Sequence, residues 1–180
     1  MCSSDLAKFY RYGFEVPRGH KAALQLDAES NTTRWADAIA DELSQILDYK
    51  TFDDRGKGAS VPSGYKQIRC HFAFDVKHDG RHKARYVAGG HMTDPPLQSV
   101  YSGVVSLRSL RLVTFLSELN SLKLYSADVG NAYLEAKTQE KVCIRGGPEF
   151  RSFGLEGHML VIVRALYGLK TSGADRKSVV

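Results

Sequence analysis

Apolar residues recur along this chain with two periods. At Trp35, Ile39, Leu43, Ile46 and Leu47 they share one helical face, with Asp37, Asp41 and Asp48 off it. That spacing predicts an amphipathic helix, capped by Thr32 or Thr33 and running to about Tyr49. From Lys66 to Val76 the period changes to two: Ile68, Cys70, Phe72 and Phe74 alternate with Arg69, His71 and Asp75. This predicts a strand with one buried face, joined by a His78-Asp-Gly-Arg81 turn to a second strand, Lys83 to Ala88. A second helix is predicted from about Ser106 to Asn120, with Leu107, Leu110, Val113, Thr114 and Leu116 on a broad apolar face. The apolar run Leu122 to Tyr125 predicts a buried strand that ends on Asp128. A short helix, Asn131 to Ala136, and two short strands, Lys141 to Ile144 and Met159 to Val163, complete the pattern. Gly13, Pro17 and Gly19 mark Ala7 to Asn31 as loop with at most one short element, and Met92 to Ser102 is loop around Pro95-Pro96.

The candidate chemistry gathers at the end of the predicted Leu122 strand. A carboxylate there is held by the sheet and can ligate a metal ion, with the Val129 carbonyl beside it. The N–H groups of the Gly130–Asn131 turn would meet an anion that the metal brings, and Tyr133 is near enough to wall the same pocket. An Asp before a helical run is also an ordinary helix cap, and the residues alone leave the two readings even. Lys83 and Arg85, two apart on a strand, share a face. Two cations on a hairpin that can fold over a pocket suit a triphosphate, Arg as a bidentate fork and Lys as a point charge. The same charges would keep an exposed edge strand soluble. Trp35 reads as a packing anchor. His71, His78, His82 and His91 lie near Cys70, but their spacing across a turn is poor for structural zinc.

Composition narrows this picture only slightly. The net charge of +5 and pI near 9.1 permit a polyanionic partner, though the basic residues are spread along all 180 positions. No apolar run approaches the ~20 residues of a membrane span, and no secretory signal opens the chain. Cys2, Cys70 and Cys143 give no disulfide framework, which fits a reducing, intracellular setting. Residues 1–6 and 175–180 each resemble translated sequencing-adapter DNA, so the native sequence is expected to run from about Ala7 to about Ala174.

Several motifs carry a family resemblance. Asp128-Val-Gly-Asn-Ala-Tyr-Leu134 resembles the first catalytic motif of reverse transcriptases. Lys83-Ala-Arg-Tyr-Val-Ala-Gly-Gly90 resembles the fingers hairpin of the copia-type branch, usually Lys-Ala-Arg-Leu-Val-Ala-Arg-Gly, with Gly89 replacing one Arg. Trp35, Ala38 and Glu42 resemble its opening helix, and Pro148-Glu-Phe150 its Pro-x-Phe turn. Leu166-Tyr-Gly-Leu-Lys170 resembles a specific signature of the branch, with Thr171 where many members have Gln.

The resemblance covers about Thr32 to Ala174. It implies an α+β fold: the fingers and partial palm of a right-hand reverse transcriptase, antiparallel strands packed with helices, C-terminally truncated before the family's Asp-Asp hairpin. Residues 7–31 would be an N-terminal extension and 32–174 the partial domain. Asp128 would be catalytic and ligate metal with the Val129 carbonyl. Lys83 and Arg85 would hold the triphosphate, and Gly130 and Asn131 would meet phosphate oxygens. Tyr133 would sit under the sugar and exclude a ribose 2′-hydroxyl, or serve as a core aromatic, or both. Tyr167, Gly168 and Lys170 would support the motif, the Gly-centred turn allowing close approach of a nucleotide. The 106–120 helix would back the palm sheet. Phe52-Asp53-Asp54 precedes Asp128 and so is not the family's later pair; its acids read as solvated turn residues.

The complete enzyme would use two Mg2+ (or Mn2+) ions, a template-primer of RNA or DNA, and dNTPs. It would form part of a Pol-type polyprotein, intracellular and within a virus-like particle. Lacking the later carboxylates, the chain alone is expected not to polymerise. A nucleic-acid-binding module without chemistry and a non-functional transposon remnant are the other readings.

Overall fold

The chain is described by a computed structural model, which covers residues 8–94, 100, 103–127 and 129–177. Asp128 lies outside the described residues, as do the end segment 1–7, residues 95–99 and 101–102, and 178–180. The predicted α2 is present at Arg34–Asp48, and its apolar face buries Trp35, Ala38, Ile39, Leu43 and Ile46. Its cap is not the expected one. Thr33 occupies the N-cap position, yet its hydroxyl donates to Asp37 Oδ2 at 2.8 Å and accepts from no first-turn N–H. The first-turn N–H groups are satisfied instead by the Asp27 carboxylate, which accepts from Trp35 N at 3.1 Å and Ala36 N at 2.8 Å.

Asp27 belongs to an element the sequence pattern did not announce. The segment expected to be loop holds a two-stranded ribbon, β1 (Tyr10–Arg11) with β2 (Phe14–Glu15), and an 11-residue helix, α1 (His20–Ser30). α1 buries only Ala23 and Asp27, so it has no apolar stripe for a periodicity argument to find.

The alternating stretch from Lys66 divides between two sheets. β4 (Lys66–Gln67) joins a four-stranded sheet, and β5 (Cys70–Val76) pairs with β6 (His82–Ala88) as the predicted hairpin. The four-stranded sheet runs β3 (Phe52–Lys57), β8 (His158–Ile162), β7 (Val142–Arg145), β4. β3–β8 and β8–β7 are antiparallel as expected, but β4 pairs parallel to β7. Asp53 and Asp54 lie in β3 and not in a turn. An edge strand tolerates such charge: Asp53 pairs with Arg55 at 2.7 Å and Asp54 meets His158 Nδ1 at 2.9 Å.

One core joins α2, the hairpin and the sheet. Leu43 and Ile46 of α2, Phe72 and Tyr86 of the hairpin, and Ile144, Phe150 and Leu160 behind them are all buried in it. Each such side chain contributes about 1.5–3 kcal/mol by leaving water. Trp35 anchors the hairpin tip, its ring edge-on to Phe74 at 5.3 Å and to His82 at 4.3 Å.

The next region departs from expectation. α3 (Leu107–Leu119) forms and is capped by Ser106, whose Oγ accepts from Ser109 N at 3.0 Å, but it buries no residue. Phe115 is 62% exposed, and among the described residues nothing covers the apolar face that was expected to back a sheet. Residues 122–127 form no strand, and Tyr125 is 85% exposed. A strand needs a partner strand for its N–H and C=O groups, and no described strand pairs with this stretch. The short helix α4 (Ala132–Glu135) and a last helix, α5 (Ser172–Lys177), complete the chain. Among the described residues no helix is long and apolar enough to cross a membrane.

Candidate functional site

The site is built on the outer edge of β6. In the hairpin, Ala84, Tyr86 and Ala88 point into the core, so Lys83 and Arg85 point outward on one face, Lys83 exposed and Arg85 half-buried. Among the described residues neither forms an ion pair. A two-stranded ribbon leaves alternate N–H groups of β6 without a strand partner. Two of these are taken up from other parts of the chain. Tyr86 N donates to Glu42 Oε1 of α2 at 2.9 Å, and Ala88 N donates to the Tyr167 carbonyl at 2.7 Å.

The second bond explains the Tyr167-Gly168 turn. Gly168 has φ +91°, and a Cβ there would collide with the Ala88 carbonyl and the Val87 side chain. A Cβ on Gly90 would in turn strike the Gly168 carbonyl. The close approach that these glycines permit is thus made by the end of β6. The turn is fixed further by Ser172 Oγ, which donates to Leu166 O at 2.6 Å, and by Lys170 Nζ, which donates to the Thr93 carbonyl.

The segment after Asp128 docks on the same framework. Asn131 turns the chain in the left-handed region, φ 52°, and its Nδ2 donates to Gln45 Oε1 of α2 at 3.1 Å. Arg164 Nη1 donates to the Glu135 carbonyl at 2.9 Å, and Ala165 N to the Ala136 carbonyl at 2.9 Å. Tyr133 is half-buried, its ring centroid 4.9 Å from that of Tyr167. Arg176 lies 5.8 Å over the Tyr133 ring, from within the segment expected to be adapter-derived. Val129 and Gly130 are exposed, and a Cβ on Gly130 would meet nothing within 4 Å.

The electrostatics tie these pieces together. Burial pushes the Glu42 carboxyl above its ordinary range, while the Tyr86 N–H and the charges of Lys83 and Arg85 pull it back. Burial also raises the Tyr167 hydroxyl, reinforced by Glu42 and Tyr133 and opposed by Arg85 and Arg176. On the core side of the hairpin, burial pushes the Cys70 thiol up to about 12 and raises Tyr86, whose hydroxyl donates to Glu149 Oε1 at 3.1 Å. An open cleft of about 540 Å³ runs between α2 and the hairpin, lined by Asp41, Glu42, Gln45, Arg81 and Lys83 among others.

The structure therefore brings Arg85, Tyr133 and Tyr167 into one neighbourhood with Lys83 at its cleft side, and places Asn131 against the same helix. Glu42 and Gln45 were not among the expected site residues. The signal for Glu42 was its position, an acid set among Trp35, Ala38, Ile39, Leu43 and Ile46 on an apolar face. For the metals, the described residues contain no group of three or more His, Cys, Asp or Glu that could hold an ion. Asp128, the expected ligand, lies outside the described residues, and one carboxylate with the Val129 carbonyl is a smaller donor set than two such ions need.

Residues 57–178 match the family described as reverse transcriptase (RNA-dependent DNA polymerase). The chain belongs to that family. It is 32% identical over 145 residues to the Transposon Ty1-NL1 Gag-Pol polyprotein of Saccharomyces cerevisiae, and 31% identical over the same length to the Ty1-BL polyprotein. Both are copia-type elements, the branch that the motifs indicate. Each alignment takes in 79% of this chain and 8% of the yeast polyprotein, so the chain spans a small part of those relatives. No solved structure matches it.

Proposed function

We propose that this chain is the nucleotide-facing part of a copia-type RNA-directed DNA polymerase, comprising the fingers and the first part of the palm, encoded within a Gag-Pol-like polyprotein. The observation that carries the reading is the convergence of the hairpin and the turn after Asp128 on α2, with the Tyr167 turn set against both, all but α2 lying inside the stretch matched by the family. Lys83 and Arg85 hold the triphosphate of an incoming dNTP. The Gly130–Asn131 turn meets its phosphates, and Tyr133, braced by Tyr167, lies under the sugar and leaves no room for a 2′-hydroxyl. Asp128 is the first of the carboxylates that bind divalent metal. Such ions, in a complete enzyme, would activate the primer 3′-hydroxyl and stabilise the leaving pyrophosphate. With that donor set incomplete here, the 180 residues bind but do not polymerise. The setting is intracellular, within a particle that holds the template-primer.

Equilibrium binding of magnesium-dNTP to the chain tests this. Lys83→Ala with Arg85→Ala removes two charge-assisted contacts and should weaken binding by tenfold or more. Binding of template that falls with salt yet ignores both substitutions and magnesium would favour a nucleic-acid-binding module instead. Nucleotide incorporation on a primed RNA template, lost in Asp128→Asn, would overturn the claim that the chain alone is inactive.

A further inference from the structure

The two cations are only as well placed as the strand that bears them, and β6 is held in an unusual way. Among the described residues no strand covers its outer edge. It is met at Tyr86 by one side-chain carboxylate and at Ala88 by one carbonyl. Glu42 is 8% exposed, and an acid so buried is kept only where something compensates its desolvation. Its Oε1 contact falls beside the two cations: Tyr86 follows Arg85 directly, and Lys83 lines the same cleft as Glu42.

We propose that Glu42 is a positioning residue: its carboxylate takes the place of a neighbouring strand at the Tyr86 N–H and so fixes the angle at which Lys83 and Arg85 face the cleft beside Tyr133 and Tyr167. The inference rests on the proposed triphosphate role of the two cations. It assigns Glu42 no contact with nucleotide. Loss of the acceptor would free a buried N–H, and the strand would shift toward water to satisfy it. Loss of the charge alone would not, because a Gln at 42 still presents Oε1 to Tyr86.

The test measures magnesium-dNTP binding by the full chain in four forms: wild type, Glu42→Ala, Glu42→Gln, and Lys83→Ala with Arg85→Ala. Glu42→Ala should bind about tenfold more weakly with near-UV dichroism retained, and Glu42→Gln should restore binding to within about threefold of wild type. Wild-type affinity in Glu42→Ala, or a Gln variant as weak as the Ala variant, would refute the inference while leaving the cations' role standing. A cation double variant that binds like wild type would remove the triphosphate reading and this inference with it. Should Glu42→Ala lose its tertiary structure, amide exchange decides. The Tyr86 N–H of the wild-type chain should exchange as slowly as that of Ala88, and rapid exchange at Tyr86 would refute the inference.

Discussion

α2 and α3 differ little as sequences and greatly as structures. Both are amphipathic, both begin after a Ser or Thr, and both form. α2 is the hub of the molecule: its apolar face meets the hairpin and the core, its first turn is capped by α1, and its polar edge touches β6 and Asn131. α3 carries Leu110, Leu112, Val113, Phe115 and Leu116 without a covering partner among the described residues. Local pattern decides that a helix exists, whereas burial requires a second surface that the pattern cannot name.

The contrast can be broken by substitution. Leu43→Ala, at a fully buried position, should cost about 2–5 kcal/mol in denaturant unfolding, against no more than ~0.5 kcal/mol for Phe115→Ala. Equal losses at the two positions would mean that α3 is packed after all. The glycines sharpen the same point. Gly168→Ala forces a side chain into positive φ and against the Ala88 carbonyl, and should cost at least about 1–3 kcal/mol. Gly130→Ala, with open space around it, should leave the unfolding midpoint nearly unchanged.

The caps separate tertiary from local control. Asp27→Ala removes the acceptor for Trp35 N and Ala36 N and should lower global stability by about 0.5–2 kcal/mol. Ser106→Ala should reduce α3 helicity in far-UV dichroism without moving the global transition. The smallest expected effect is a pH dependence confined to the packed region. Burial depresses the His82 pKa below its ordinary 6.5, so the unfolded chain takes up a proton first as pH falls. His82 thus contributes no penalty above 6.5, and stability declines as pH drops from there toward the lower folded value. His82→Phe should flatten that slope in denaturation midpoints taken between about pH 7 and 5.

These comparisons also mark how far the sequence could be read. α2 and the hairpin were legible because their burial repeats with a regular period, β7 and β8 because they are short apolar runs, and α4 from the short helical pattern after Gly130. α1 was not, since it buries a single Ala and an Asp whose task is to cap another helix. The strand expected at Leu122–Tyr125 had the right apolar composition but has no described partner. In the site, the shared face of Lys83 and Arg85 followed from strand geometry, and Tyr133 with Tyr167 from the family motifs. The neighbour of Gly168 was not foreseeable: the motif says that something approaches closely, and the fold makes it the end of β6. Glu42 was visible as a charge on an apolar face, but its partner lies 44 residues away.

The Trp35 indole, the only one in the chain, is wedged between Phe74 and His82 at the hairpin tip. That placement gives the molecule a built-in optical gauge. Its emission should be blue-shifted while the tip is seated, should red-shift if the tip lifts, and should be quenched in acid as the touching imidazole takes up a proton. The posture of the hairpin that bears Lys83 and Arg85 can therefore be followed in real time without attaching a label.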